Sequence, residues 1–361
     1  SSAEPLKRTL TGLQKDSGAK QKAAPSKKCK DPKPYEALVK DMVEIDGLFT
    51  FYRDTTDNSV LMAIKPDQFD KVYLCGETVA RSAGVFSDNG RMYRTYPFYL
   101  TRVGENIQFM EKNLRLRADS VSTLSRAVDA GISDHLLAAT EVKSKPHDST
   151  GAILIDPADF FITDATNLSY FAGKIAKTGF SFDKKNSYVE QVLSFPYNSE
   201  IDVRLHYRGS KPLSAKTMQN PYSAYQTHRY SFTELPESDY VPRFGDERMG
   251  HFLTVYQDYS SPATETPYVR YVERWHLKKK DPSAELSEPV EPIVYWVQNT
   301  VPEEYREYVA AGIEFWNPAF EKIGFKNAVV AKQMPDTAAW DPADIRYSTV
   351  QWIVPGSGPA V

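Results

Sequence analysis

The 361-residue sequence predicts an α+β protein: a long, mostly antiparallel β region followed by a short, partial α/β subdomain. Three observations carry this. From Leu48 to Leu277, short runs of β-branched and aromatic residues alternate with clusters of Gly, Pro, Asp and Asn, which is the pattern of strands joined by turns. Residues 278–292 then read Lys-Lys-Lys-Asp-Pro-Ser-Ala-Glu-Leu-Ser-Glu-Pro-Val-Glu-Pro, a charged, proline-broken stretch that suits a linker or strap. Beyond it, Ile293–Val297 is apolar on both faces, as a central parallel strand is, and a helical stripe follows.

Taken in order, residues 1–34 are rich in Lys, Ser, Ala and Pro with little to bury, so they are expected to form a disordered leader. Leu38, Val39, Met42 and Val43 then recur at helical spacing until Gly47. Leu48–Arg53 and Val60–Ile64 flank Asp54-Thr-Thr-Asp-Asn58 as a hairpin, and strands continue at Lys71–Val79, Tyr93–Val103, Asn106–Glu111 and Ile153–Ile155. Helical interruptions are expected at Ser120–Ala130 and Tyr188–Leu193. In Ile201–Arg208, Ile201, Val203, Leu205 and Tyr207 alternate with Asp202, Arg204, His206 and Arg208, which predicts a half-buried strand with its polar side in water. Arg229–Thr233, His251–Gln257 and Tyr268–Leu277 complete the β-rich region 35–277.

After the linker 278–291, Thr300 and Glu303 have capping-box spacing around Pro302. Tyr305, Val309, Ile313, Trp316, Phe320 and Ile323 step by three or four residues toward Gly324, so one helical stripe is expected over Pro302–Ile323. Pro318 interrupts it: the ring removes a backbone donor and crowds the carbonyl of Glu314, which predicts a kink or a new start near Asn317. Strands at Ala328–Ala331 and Ile345–Ile353 would complete the unit 292–361, which looks like part of a domain because so short a segment builds little core.

Composition narrows the function classes. With 41% hydrophobic and 25% charged residues, a net charge of -3 and a pI near 6.1, nothing points to nucleic acid. No apolar run approaches the roughly 18 residues of a membrane span. Two cysteines, Cys29 and Cys75, leave one disulfide open as an option but no framework. The start, Ser-Ser-Ala-Glu, would suit a chain after signal-peptide cleavage.

A collinear series of segments carries a resemblance. Pro292-Ile-Val-Tyr-Trp-Val-Gln-Asn-Thr-Val-Pro-Glu-Glu-Tyr-Arg, Glu314-Phe-Trp-Asn, Phe320-Glu-Lys-Ile-Gly-Phe and Asp341-Pro-Ala-Asp-Ile-Arg-Tyr-Ser-Thr-Val-Gln-Trp-Ile resemble the start of the catalytic domain in large secreted bacterial zinc-dependent metalloproteases of metzincin type. Upstream, Leu48-Phe-Thr-Phe-Tyr-Arg, Leu235-Pro-Glu-Ser-Asp-Tyr-Val-Pro-Arg, Asp246-Glu-Arg-Met-Gly-His-Phe and Val269-Arg-Tyr-Val-Glu-Arg-Trp are similar to the β-rich N-terminal domains of unknown function in those proteins. The resemblance implies a partial metzincin-like subdomain at 292–361, severed before a helix bearing His-Glu-x-x-His-x-x-Gly-x-x-His. In such proteins three histidines hold zinc and the glutamate is the general base. Zinc is therefore expected for the complete protein and not for this chain, and no catalytic, cofactor-binding or metal residue is expected within it. The implied partners are a missing C-terminal catalytic half, in the same polypeptide or as a processed chain, and a peptide or protein substrate. The implied location is extracytoplasmic, periplasmic or secreted. A non-catalytic binding or scaffold module related to such proteases is the alternative.

Individual residues are read structurally. No two of His135, His147, His206, His228, His251 and His276 are four apart. Cys75 is read as a packing residue rather than a latency thiolate, and His206 and His276 as surface histidines. Glu247 and His251 are read as a turn entering a strand. Arg243, Asp246, Glu247 and Arg248 are read as an interdomain clamp, Trp316 and Asn317 as core packing with a local backbone hydrogen bond, and Arg346 as pairing with a carboxylate in the interdomain seam.

Overall fold

The computed structural model describes residues 32–84, 87–164, 166–175, 179–213, 217–261 and 266–354. In chain order these form α1 (Tyr35–Val39), β1 (Val43–Ile45), β2 (Thr50–Arg53), β3 (Val60–Ile64), β4 (Tyr73–Arg81), β5 (Met92–Val103), β6 (Asn106–Glu111) and β7 (Leu116–Arg117). Next come α2 (Ser125–Gly131), β8 (His135–Glu141), β9 (Ile153–Ile155), α3 (Ala158–Phe161), α4 (Leu168–Ile175), β10 (Phe180–Phe182), β11 (Tyr188–Ser194), β12 (Asn198–Gly209) and β13 (Ser223–Glu234). The remainder is β14 (Leu253–Asp258), β15 (Tyr268–Val272), β16 (Ile293–Val297), α5 (Glu303–Glu314), α6 (Asn317–Glu321), β17 (Val329–Gln333) and β18 (Thr349–Val350).

Among β1–β13 the strands pair with one another antiparallel. A four-stranded sheet runs β1-β2-β3-β9, and a larger one runs β10-β12-β13-β4-β5-β6-β8, with β10 and β11 following one another along the outer edge of β12. The two sheets share one core because their strands alternate. Phe51, Met62, Ile64, Ile153 and Ile155 of the small sheet meet Tyr73, Cys75, Phe98, Leu100, Phe109 and Phe232 of the large one, with Phe160 and Phe161 of α3 between them. Ala63 and Leu154, one residue out of phase, face α1 through Tyr35. β14 and β15 form an antiparallel ribbon to which β7 adds in parallel.

The last unit differs in kind. Its order is β17-β16-β18, and both pairings are parallel, as crossover connections require. Residues 278–291 carry no long element but are strapped to it. Ser287 N–H donates to the Gly324 carbonyl (3.1 Å), Lys326 N–H donates to the Ser287 carbonyl (3.0 Å), and Lys279 bridges Pro289.

Several expectations are corrected. Lys33 pairs with Ser144, within the part of the expected leader that is described (32–34); residues 1–31 lie outside the described residues. The helix ends at Val39, and Val43 enters β1 opposite Arg53. Tyr188–Leu193 is strand, not helix. The polar side of β12 is only partly in water: Asp202 and His206 are buried, as is Glu200 just before them, Arg204 is half-buried and Arg208 is exposed. The capping box is absent, since α5 has Pro302 at its cap, and Thr300 Oγ1 instead accepts from Trp352 N–H (3.1 Å). The stripe breaks where Pro318 predicts, with α6 starting at Asn317. β18 is shorter than expected because Asp344–Tyr347 turns first.

Candidate functional site: an open apolar sheet face

The face of the parallel sheet that carries Ile293, Tyr295 and Val297 is covered on one side only. α5 packs chiefly over the edge strand β17 and much less over β16, leaving the β16–β18 side open. Ile293, Tyr295, Val309, Ile313, Trp316 and Val350 line the resulting groove of about 630 Å³, with Trp275 meeting Tyr295 edge to face at 6.4 Å on its margin. The helical stripe that predicted a core is thus only half used. No residue of α5 or α6 is fully buried, and Trp316 is 65% exposed. Ile293, Ala328 and Val329 form the packed apolar cluster of this unit, in which Val297 and Val301 are also buried. The opposite face is closed: Trp340 stacks on Tyr347 (4.0 Å, 11°) and both lie against Trp296. A groove of this chemistry takes an apolar helix or side-chain row, and covering roughly 200 Å² of it contributes about 5 kcal/mol at about 25 cal/mol per Å².

A second concentration of chemistry sits inside the large sheet. Glu77 on β4 and His228 on β13 are sealed from solvent and form a pair at 3.2 Å, while Arg94 bridges Glu77 (3.4 Å) to Glu111 (3.2 Å). Tyr93 lies flat on the His228 ring (5.4 Å, 4°), and its hydroxyl accepts from Gln226 Nε2 (3.3 Å). His228 Nε2, Tyr230 Oη and Gln226 Oε1 are buried without a protein partner. Enclosure keeps solutes from this pair, so its plain use is to fix strand register in the core.

The third is the seam between the large sheet and the parallel unit. Asn198 at the start of β12 donates from Nδ2 to Glu200 Oε1 (2.7 Å) and to the Ala343 carbonyl (2.8 Å), and its Oδ1 accepts from Ile345 N–H (3.1 Å). Sequence reasoning paired Arg346 with a carboxylate in this seam, and the partner is Asp344, two residues away (Nη2 at 2.5 Å), which lies between the Ala343 and Ile345 that bond Asn198. That guanidinium, against some burial, holds the Asp344 carboxyl below the usual aspartate range.

The other singled-out residues fall as follows. Cys75 is fully buried and free; burial pushes its thiol well up, away from the thiolate that latency would need, and Cys29 lies outside the described residues. His206 is no surface residue: Nδ1 meets Asp183 (2.9 Å) and Nε2 meets Ser223 (2.8 Å). His276 faces Asp239 at 3.6 Å. Glu247 and His251 are exposed in the turn before β14, as read. The charged cluster is local, with Arg248 holding Asp246 (2.6 Å) rather than a distant clamp. Trp316 is exposed rather than core, whereas Asn317 does bond backbone, across to Val329. Among the described residues no three His, Cys, Asp or Glu side chains are grouped so as to hold a metal ion. No helix among the described residues is long and apolar enough to cross a membrane.

Fold and site define a β-rich module of mostly antiparallel sheets with a parallel β-α-β unit strapped to its end. The family described as a domain of unknown function, DUF5117, matches residues 90–280, more than half of the chain, and the chain belongs to that family. No curated protein and no solved structure matches it. The matched segment begins just before β5 and so omits β4, the strand between β13 and β5; the folding unit is larger than the family's segment.

Proposed function

We propose that the chain is the N-terminal portion of a secreted or periplasmic zinc-dependent metalloprotease of metzincin type, in which the β-rich region is an accessory to a catalytic domain that begins at Pro292. The observation that carries this reading is the half-covered sheet. A metzincin-like sheet holds two helices on one face, the second bearing the zinc ligands, and here α5 covers the β17 side while Tyr295, Val350 and Trp316 stay open where a second helix would lie. The segments that carry the resemblance also fall on structural joints: Pro292–Arg306 spans β16 and the start of α5, Glu314–Asn317 the break before α6, and Asp341–Ile353 the turn into β18. In this reading the catalytic half supplies zinc, general base and peptide specificity, and this chain supplies the platform.

The test is the full-length gene product. Its coding sequence beyond Val361 is expected to carry His-Glu-x-x-His within about a hundred codons. The purified protein is expected to hold one zinc per chain by elemental analysis and to cleave a protein substrate in a chelator-sensitive way. A full-length product with neither the motif nor zinc-dependent cleavage overturns the reading in favour of a non-catalytic binding module.

A further inference from the structure

Gln226, His228 and Tyr230 alternate along β13 and so project from one face of the large sheet, the face that Glu77 on β4 shares. Each is buried with one polar atom that no protein group meets: Gln226 Oε1, His228 Nε2 and Tyr230 Oη. Their cross-strand neighbours supply nothing. β12 sets Leu205 beside Gln226, Val203 beside His228 and Ile201 beside Tyr230, and β4 sets Val79 on the other side of His228. Glu77, beside Tyr230, is already engaged by His228 Nδ1 (3.2 Å) and Arg94 (3.4 Å). Buried polar atoms in native proteins find a partner, and where the chain offers none, ordered water takes the place. We infer that Gln226, His228 and Tyr230 hold a buried hydration site: water that donates to His228 Nε2 and Gln226 Oε1 and accepts from the Tyr230 hydroxyl.

The bonds already made decide what the guest must offer. Toward the Glu77 carboxylate, which accepts, His228 Nδ1 donates, so Nε2 presents a lone pair. Gln226 Nε2 donates to Ser87 Oγ (2.9 Å) and to the Tyr93 hydroxyl (3.3 Å), which leaves Oε1 as an acceptor. Tyr230 has a proton to give, and the neighbouring Tyr207 hydroxyl is spent on Asp164 (3.1 Å). Two acceptors and one donor require a guest with two protons and a lone pair, which describes water. A cation offers the tyrosine proton nothing, and an anion would face two lone pairs. Turning the amide over exchanges an open acceptor for an open donor, and water serves either. The site has a roof: the Tyr93 ring lies flat on His228 (5.4 Å, 4°) while its hydroxyl takes the Gln226 proton, so two of the three side chains meet at Tyr93. Tyr93 is half-buried and stands between them and solvent, so the enclosure that keeps larger solutes out still has a way in for water.

The experiment is a crystal structure of the full chain, in which ordered waters are seen, joined to oxygen-17 relaxation dispersion of water in solution. The expected map shows a water peak within about 3.2 Å of His228 Nε2 and of Gln226 Oε1 or Tyr230 Oη, with no anomalous signal. His228→Phe keeps a flat ring beneath Tyr93 and is expected to lower the count of long-lived waters by about one per chain. Tyr230→Phe keeps the ring that packs on Phe161 (4.9 Å) and removes one partner of the water. It is expected to shorten the water's residence time, and it serves where His228→Phe fails to fold. A well-ordered map with carbon alone around Nε2, an anomalous peak that identifies a metal, an unchanged count of long-lived waters in a folded His228→Phe protein, or an unchanged residence time in Tyr230→Phe overturns the site.

Discussion

The side chain of Asn317 pairs with Val329 as though it were the backbone of a neighbouring strand: Nδ2 donates to the Val329 carbonyl (2.9 Å) and Oδ1 accepts from the Val329 N–H (3.0 Å). Two residues on, Ala331 N–H donates to Glu314 Oε1 (3.1 Å). β17 is an edge strand, and side chains from either side of the helix break satisfy its outward backbone groups where a further strand would otherwise be invited. Asn317→Ala leaves two backbone groups of the buried Val329 without partners and is expected to cost about 2–6 kcal/mol, at about 1–3 kcal/mol for each group. Asn317→Asp keeps the acceptor and should cost less. Urea unfolding followed by the tryptophans of the parallel unit checks both, and equal stability of Asn317→Ala and wild type would show that the pairing is dispensable.

Acid should loosen the junction between β6 and β8. Asp134 accepts from Asn113 N–H (2.8 Å), Tyr99 Oη (2.8 Å) and Lys112 Nζ (3.1 Å). Burial raises its carboxyl, but these three donors together lower it below the ordinary 3.8. A depressed carboxyl contributes stability that is present above the unfolded value and lost as pH falls through the folded one. Wild-type stability is therefore expected to drop below pH 4 more steeply than that of Asp134→Asn, measured by thermal unfolding between pH 3 and pH 6; parallel curves would remove Asp134 from the account.

Cys75 should be chemically silent. In a Cys29→Ser background, a thiol reagent is expected to leave native protein unmodified and to react once per chain on unfolding, because Cys75 is fully buried in the shared core between its cross-strand neighbours Phe232 and Tyr96. Fast labelling of the native protein would reopen a regulatory role.

The open groove makes an opposite claim about exposed aromatics. Phe315 and Trp316 are 82% and 65% exposed, so Phe315→Ser and Trp316→Ser should each change the stability of this chain by no more than about 0.5 kcal/mol. The Trp316 variant should bind less of an environment-sensitive apolar dye, since Trp316 lines the groove. A loss of several kcal/mol would mean that the residue is core after all.

Much of this architecture was legible because alternation reports local backbone. β3, β6, β9 and β16 fall where period-two or all-apolar runs place them, and the helix break follows from the ring of Pro318. Misreadings arose where spacing imitates another structure. Val189 and Val192 are three apart, which is helical spacing, yet both are buried in β11 because a bulge at Glu190 shifts the register between Val189 and Gln191 and returns the strand to the same face. His206 read as exposed because its partners Asp183 and Ser223 are far away in sequence. The Glu77–His228 pair, 151 residues apart, left no local signal. The seam was anticipated, but through Arg346: charge draws the eye in a sequence, while Asn198, which makes the contact, looks like any turn residue before a strand.

The strap at 278–291 gives this protein an unusual sensitivity to indels. A floppy connector tolerates added or deleted residues, since its ends drift freely and closure entropy grows slowly with length. Here Ser287 is stitched to Gly324 and Lys326, Lys279 Nζ bonds the carbonyls of Ala284 and Glu285, and β16 begins only six residues after Ser287. Inserting one residue between Ser287 and Ile293 would turn the apolar faces of β16 over or tear the stitches. Natural variation in this stretch should therefore change letters and conserve length, so that what reads as a spacer behaves as a ruler.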